Sequence, residues 1–305
     1  MFTAQKTLFL YAVSPVHMGA GQAIGLIDNP IQREVHTGHP VLAGSGVKGA
    51  VRHRFYALAK GDDRLNRYFG PDSQNASDFA GAVSFSDAQL VLFPVRCTKA
   101  GFVYATSPLA LARAKRFLEQ SGLKAWENVT GPKAGHCLVT QEGLLTETAN
   151  AQGQKSKKLF VEAYELIATP SPQLKAVADT LAGYAMPDGY FKDKLIADLV
   201  LMHDEDFGYF VKNATSIEPH VRINPDTGVA DGGGLFYTEN LPPESLLIQN
   251  VMATAERSSK GASTADEVLA YVLSGDLGLN GKPLQVGGDA TTGRGQVLVT
   301  VAGGV

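Results

Sequence analysis

Apolar positions along the chain switch between two spacings. Over residues 6–16, Leu8, Leu10 and Ala12 alternate with other β-tolerant residues, which predicts a strand. Val47, Val51, Phe55 and Leu58 recur at helical spacing, so a helix is expected from Ser45 or Gly46 to about Ala59. Lys48, Arg52 and Lys60 occupy a neighbouring face of it. Residues 82–95 read as one or two strands and 101–106 as another. Ser107 supplies an N-cap, Pro108 suits the first helical position, and that helix runs to about Gln120. Further strands are expected over 159–168, 195–202, 245–253 and 296–301, and helices over 171–184 and 262–273. Asn224-Pro-Asp-Thr-Gly228 is a turn signature between 215–224 and 234–239, which makes an extended β-hairpin.

Strands and helices mix without strict alternation, and hairpins are present. That favours α+β over a doubly wound parallel sheet. Residues 17–40 lack periodicity and form a long loop, a length usually associated with function or disorder. Residues 121–157 are poor in periodic signal and read as an irregular insertion. No repeat or linker interrupts the chain, so residues 1–305 are expected to form one domain with insertions.

Composition excludes several classes. The 305 residues are 44% hydrophobic and 19% charged, unlike a disordered, collagen-like or disulfide-stapled chain. A net charge of −3 argues at first against a nucleic-acid partner. Its distribution reverses that reading. Residues 1–150 carry 15 Lys/Arg against 11 Asp/Glu, and residues 151–305 carry 12 against 19. Arg33, Lys48, Arg52, Arg54, Lys60, Arg64 and Arg67 concentrate in one window. Cys97 and Cys137 have no zinc spacing, so reduced thiols and a cytoplasmic protein are expected. No apolar run approaches the ~20 residues of a membrane helix. The run after Lys6 is too short for a signal peptide and reads as the first strand.

Two glycine-rich loops carry candidate chemistry. Gly44-Ser-Gly-Val-Lys-Gly49 has the GxGxxG spacing of a dinucleotide loop. The preceding segment is broken by Pro40, and no acid stands about 20 positions on to bind a ribose, so a nicotinamide-dependent oxidoreductase is disfavoured. Open amides at a helix start beside Lys48 and Arg52 still suit a phosphate; a plain glycine turn with a solvated basic face is the alternative. Gly287-Gly-Asp-Ala-Thr-Thr-Gly-Arg-Gly295 offers Arg294 in the same way, or is simply a long hairpin turn. His17 and Asp28 flank the first long loop; taken alone, Asp28 before Asn29-Pro30 is a turn-former. His203-Asp-Glu-Asp206 lacks EF-hand spacing and reads as an exposed helix start. Tyr237 and Glu239 close the hairpin ahead of Pro242.

Together these segments resemble a known family. His17-Met-Gly-Ala-Gly21, Asp28-Asn-Pro-Ile-Gln-Arg-Glu34 and His36 through Gly49 with Arg52 are similar to the N-terminal signature of CRISPR RAMP proteins. The match is to the backbone subunits of type III-B Cmr effector complexes. It continues through Phe69-Gly70, Val83 to Ala88, Phe93 to Arg96, Thr106 to Leu109 and the Gly287–Gly295 loop. The resemblance implies a modified RRM (ferredoxin-like) palm, with an antiparallel sheet, helices on one face and an inserted thumb hairpin, here about residues 212–242. It implies copies stacked in a filament along CRISPR RNA with other Cmr subunits. It also implies cleavage of target single-stranded RNA at regular intervals by a divalent-metal-dependent endoribonuclease, using Mg²⁺ or Mn²⁺. On that resemblance Asp28 is the catalytic and metal-binding acid and His17 its companion. Ser45, Gly46, Lys48, Arg52, Gly293 and Arg294 would bind RNA, and Tyr237 and Glu239 would support the site. Glu239 stands in Tyr237-Thr-Glu-Asn-Leu-Pro, less acidic than the family tends to be before its Leu-Pro. The alternative is a non-catalytic scaffold binding CRISPR RNA in the same filament.

Overall fold

The computed structural model describes residues 1–22, 25–72, 77–149, 152–259 and 261–304. The chain begins with β1 (Ala4–Ala12), β2 (Val41–Leu42), α1 (Gly44–Leu58), α2 (Arg64–Phe69), β3 (Val83–Phe85), β4 (Ala88–Cys97), β5 (Gly101–Thr106) and α3 (Pro108–Gln120). Next come β6 (His136–Val139), β7 (Thr146–Ala149), β8 (Lys155–Val161), β9 (Tyr164–Pro170), α4 (Pro172–Ala185), α5 (Tyr190–Asp198) and β10 (Leu199–Met202). It ends with α6 (Asp204–Asn213), β11 (Ser216–Ile223), β12 (Ala230–Asn240), β13 (Leu246–Ala253), α7 (Ala265–Leu273), β14 (Lys282–Gln285) and β15 (Gln296–Val301).

This is a mixed α+β fold around one large sheet. Its strands run β14-β15-β1-β13-β4-β5-β10-β6-β9-β8-β7. Cys97 of β4 also pairs with Val161 of β8, so the strands from β4 round to β8 close in a barrel-like ring. Most pairs are antiparallel as expected, but β5–β10 and β6–β9 are parallel. The hairpin β11–β12 forms a separate two-stranded sheet, as the Asn224–Gly228 turn predicted.

β1 explains how the layers form. Leu8 and Leu10 point into a core shared with Val47, Val51 and Phe55 of α1 and Val268 of α7. Phe9 and Tyr11 point the other way, onto Phe117 and Leu118 of α3 and Leu174 and Leu181 of α4. Helices therefore cover both faces of the central sheet, which corrects the expectation of one. The physical reason lies in β1 itself: all its residues from Leu8 to Ala12 are apolar or aromatic, the signature of a strand buried on both sides.

Capping fixes several ends. Ser107 accepts the Ala110 amide at 3.3 Å with Pro108 beginning α3, as read from sequence. α7 starts only at Ala265, because Thr264 and Glu267 form a reciprocal capping box. His203 caps α6, whose first turn carries Asp204, Glu205 and Asp206.

Other expectations need revision. Residues 159–168 are the hairpin β8–β9, turning at Glu162 with φ 49°, where no glycine or proline marks the turn. Residues 195–198 belong to α5, whose Lys194–Asp198 ion pair at 2.6 Å spans one helical turn before β10 begins. The 121–157 insertion contains β6, β7 and the start of β8. Cys97 and Cys137 are free and buried, and burial pushes the Cys137 thiol up to about 12. No helix among the described residues is long and apolar enough to cross a membrane.

Candidate functional site

The long loop over residues 17–40 is stapled to the body at several points. Val16 and Leu241 exchange backbone hydrogen bonds of 2.9 Å each. Gln32 N donates to Met18 O at 2.8 Å, folding the loop back on itself, and Arg33 pairs with Pro40. Asn29 N donates to Tyr237 O at 3.1 Å, and Glu239 N to Asn29 O at 3.0 Å. The middle of the loop thus runs as a short extra strand beside the end of β12.

That pairing assembles four predicted residues from two distant segments. The Tyr237 amide donates to Asp28 Oδ2 at 2.7 Å. His17 Nδ1 lies 2.7 Å from the Glu239 carbonyl oxygen. A carbonyl only accepts, so Nδ1 carries a proton and Nε2 is the nitrogen left for chemistry. A side chain at Gly19 would press on that nitrogen, its Cβ falling 2.9 Å from Nε2. Gly19 therefore keeps the imidazole edge open. Behind the imidazole, Gly288 N donates to His17 O at 2.8 Å, and any Cβ on Gly287 would collide with the His17 backbone.

Glu239 has a structural role. Its side chain is buried, with Arg33 at 2.5 Å, the Ile31 amide at 3.1 Å and the Thr215 hydroxyl at 2.8 Å. The carboxylate knits the loop, the start of β11 and the end of β12 together. The backbone of the same residue orients His17. Tyr237 likewise acts on Asp28 through its amide, while its ring is part-exposed.

The basic residues divide into free and engaged. Arg52 donates to Asn66 Oδ1 at 2.8 Å, Arg64 to Asp62, and Arg67 to Glu256 through two bonds of 2.6 Å. Arg294 pairs with Glu218 of β11, which turns its guanidinium toward the hairpin. Lys48, Arg54 and Lys60 have no ion-pair partner among the described residues. Burial and the neighbouring Arg52 hold the Lys48 ammonium below its usual pKa. At the start of α1 the Gly44 amide is already taken by Asp87 Oδ1 at 2.8 Å; Ser45 is exposed, and Gly46 packs near Met18. The two glycine-rich loops meet at His17–Met18, one behind the imidazole and the other against the Met18 thioether. Gly293 is an exposed αL residue in the second loop.

For a divalent cation, Asp28 offers one carboxylate. The described residues contain no cluster of three or more His, Cys, Asp or Glu that could hold a metal. Glu239 cannot serve as a second ligand, since Arg33, Ile31 and Thr215 occupy its carboxylate. The residues present fit a metal of the Mg²⁺ type, which keeps several waters and completes its shell from substrate phosphates.

Sequence reasoning missed Gly19 as the residue that spaces His17, and Arg33 and Thr215 as partners of Glu239. Arg33 carried one signal, its place in the basic window. Nothing within a single sequence pairs it with a residue some two hundred positions away.

A family model described as the RAMP superfamily matches residues 9–298. The chain is similar to the CRISPR system Cmr endoribonuclease Cmr4 of Pyrococcus furiosus, with 32% identity over 301 residues, covering 96% of this chain and 94% of that protein. It is similar to the CRISPR system CMR subunit Cmr4 of Saccharolobus solfataricus at 22% identity, covering 97% and 96%. Its fold is similar to the crystal structure of oligomeric Cmr4 from Pyrococcus furiosus, with TM-score 0.70, 26% identity and coverage of 98% and 97%. It also shares the fold of a chain in the cryo-EM structure of the type III-B Cmr-beta complex bound to cognate target RNA, with TM-score 0.70, 19% identity and coverage of 98% of each.

Proposed function

The chain belongs to the RAMP superfamily, and on that premise we propose that it is the backbone subunit of a type III-B CRISPR effector complex. It binds CRISPR RNA in a filament of its own copies with other Cmr subunits and cuts target single-stranded RNA as an endoribonuclease. One observation carries the catalytic part. Asp28 and His17 are anchored to the same strand end, Asp28 by the Tyr237 amide and His17 by the Glu239 carbonyl.

The palm is the RRM-like part. In chain order β1, α1, β4, β13, α7 and β15 follow one another, and in the sheet β15, β1, β13 and β4 lie side by side. That order supports the ferredoxin-like reading of the palm. The hairpin β11–β12 is the thumb, and its Ile217, Val221, Leu235 and Tyr237 are exposed on one face.

The chemistry follows from positioning. In-line attack by a target 2′-hydroxyl on the adjacent phosphorus expels the 5′-oxygen of the next nucleotide. Such a reaction needs the nucleotide held out of the duplex, and charge balanced at the phosphate. His17 Nε2, when protonated, donates to a phosphate oxygen, while Nδ1 stays fixed on Glu239 O. Asp28 orients the attack and is the carboxylate offered to Mg²⁺ or Mn²⁺. When bound, that ion supplies charge neutralisation at the scissile phosphate. Lys48 and Arg52, with the Ser45 and Gly46 amides, follow the guide phosphates; Arg294 and Gly293 join them once Arg294 exchanges Glu218 for RNA.

The test is reconstitution with guide and target RNA. Asp28→Asn is expected to retain both RNAs while cutting falls at least about a hundredfold, the scale of positioned acid–base groups. Cutting at the wild-type rate overturns the catalytic assignment and leaves the scaffold reading.

A further inference from the structure

Between the end of β1, the corner joining α4 to α5, and the turn after Pro243 lies a cavity of about 210 Å³. Its walls are largely apolar: Tyr11, Met186, Tyr190, Phe191 and Leu298. The rings of Tyr11 and Phe191 stand 6.0 Å apart, and Tyr190 meets Phe191 edge-on at 5.4 Å. Tyr190 is nonetheless 71% exposed and Phe191 41%, so the aromatic rim faces outward.

Glu244 lines this cavity in an unusual state. Its backbone has φ 70°, a region that residues other than glycine rarely occupy. Its amide donates to Ala12 O at 2.8 Å, which pins the turn to the end of β1. Its Oε2 is buried and has no hydrogen-bond partner. A strained backbone that delivers an unsatisfied acid to an apolar cavity is costly unless something completes it.

We propose that this cavity is a socket for the ammonium group of a lysine side chain presented by a neighbouring protein chain in the assembly. Size, charge and geometry support that occupant. The volume is below the ~300–1,000 Å³ of a drug-sized or cofactor site, and matches a side chain. An unpaired carboxylate repels phosphate, which excludes the RNA backbone. The compact ammonium of lysine needs only a single acceptor, and Oε2 offers one. The aliphatic stem would lie along Tyr11, Phe191 and Leu298, with the cation near aromatic faces.

The socket also has a pH signature. Burial pushes the Glu244 carboxyl up to about 7. The other charged group at the cavity is Asp188, paired with Lys192 of α5 at 2.7 Å; the phenols of Tyr11 and Tyr190 are neutral polar neighbours, Tyr11 sharing a hydrogen bond of 2.8 Å with Tyr104. An arriving ammonium favours the ionised carboxylate. Docking therefore strengthens as pH rises through about 7 and weakens below it.

This inference rests on the assembly described above, and its test separates the two. The complex reconstituted with guide RNA is treated with a carbodiimide, and cross-linked peptides are identified by mass spectrometry. A Glu244–lysine bond between chains is expected, absent from Glu244→Gln. Glu244→Gln is also expected to weaken association at least about tenfold. Target cutting with Glu244 in the complex as reactive to an added small amine as in the free chain overturns the socket and leaves the function standing. A Glu244–lysine cross-link without target cutting supports the socket and counts against the function. Association by Glu244→Gln equal to wild type overturns the socket.

Discussion

Truncating Glu239 to alanine should loosen the loop that carries Asp28 and the strand end that holds His17. The carboxylate is buried and accepts from Arg33, the Ile31 amide and the Thr215 hydroxyl. Breaking a buried ion pair costs about 3–5 kcal/mol when the surviving charge is stranded. Arg33 is 20% exposed and keeps bonds to Gly38 O at 2.8 Å and Val211 O at 2.9 Å, so it is only partly stranded. The pair alone thus costs about 1–2 kcal/mol, below that range. The two neutral hydrogen bonds add about 0.5–1.5 kcal/mol each. A total near 3 kcal/mol is expected. With an unfolding entropy of about 2.1 cal/mol/K per residue, the 305-residue chain should melt about 5 °C lower. Arg33→Ala should cost less, and the double variant less than the sum, with a coupling energy of about 1–2 kcal/mol. Thermal melts of the four proteins and target-cutting rates in the reconstituted complex provide the assay. Asp28→Asn, whose side-chain oxygen still accepts from Tyr237, serves as the control that loses cutting without losing stability. A Glu239→Ala protein melting within 1 °C of wild type would refute the view that this carboxylate holds the site together.

Gly19→Ala should lower the cutting rate about tenfold or more by crowding His17 Nε2, while Tm moves little, because Gly19 is exposed; unchanged cutting kinetics would remove Nε2 from the mechanism. Two bonds from Arg67, against the opposing effect of burial, hold the Glu256 carboxyl down to about 2. A carboxylate depressed in the folded state stabilises above its unfolded pKa of about 4.5, and that contribution is lost as pH falls through about 2. Melting temperature should therefore drop between those values in wild type, and Glu256→Gln should melt lower at neutral pH with a shallower acid limb; parallel curves would disprove the linkage. Glu218→Gln should release Arg294 and tighten guide-RNA binding a few-fold with a salt slope steeper by about 1, measured by titration at several salt concentrations; equal slopes would leave Arg294 out of the RNA contact.

What was legible in the sequence was local. Alternation placed β1 and β15, helical spacing placed α1, and Ser107-Pro108 fixed the start of α3. Each of those signals lies within one turn or one strand. The reading failed where the deciding contact was distant or the local signal ambiguous. A strand was expected over 195–202, because Leu195, Ile196 and the apolar run after them suit either period; the Lys194–Asp198 pair settles the first half as helix. Helices on one face are what the resemblance to an RRM-like palm implies; the second helical layer, α3 and α4 over Phe9 and Tyr11, comes from segments outside that palm pattern. The site shows the same division. Asp28, His17, Tyr237 and Glu239 each stand out in the sequence, yet their assembly rests on backbone and side chain–backbone bonds between segments about two hundred residues apart. No spacing rule reaches that far.

The charge pattern along the chain changes meaning once those long contacts are known. The excess of cations in the first half looked like an RNA-facing surface. Part of it pairs across the fold instead. Arg33 meets Glu239 and Arg67 meets Glu256, each pairing a cation of the basic window with an acid of the acidic half. Arg52 is held by Asn66 and Arg64 by Asp62 within the window itself. Within the basic window, and among the described residues, the cations left without an acidic partner are Lys48, Arg52 and Arg54 on α1 and Lys60 just beyond it. An internal pair contributes little to the field outside, because its two charges cancel at the range over which salt leaves a field intact. The unpaired charge of this window therefore lies along α1, beside the glycine loop that packs against Met18, one residue from His17. On the proposed function, unpaired positive charge along that line would hold a guide next to Asp28 and His17, since phosphate attraction follows net local charge.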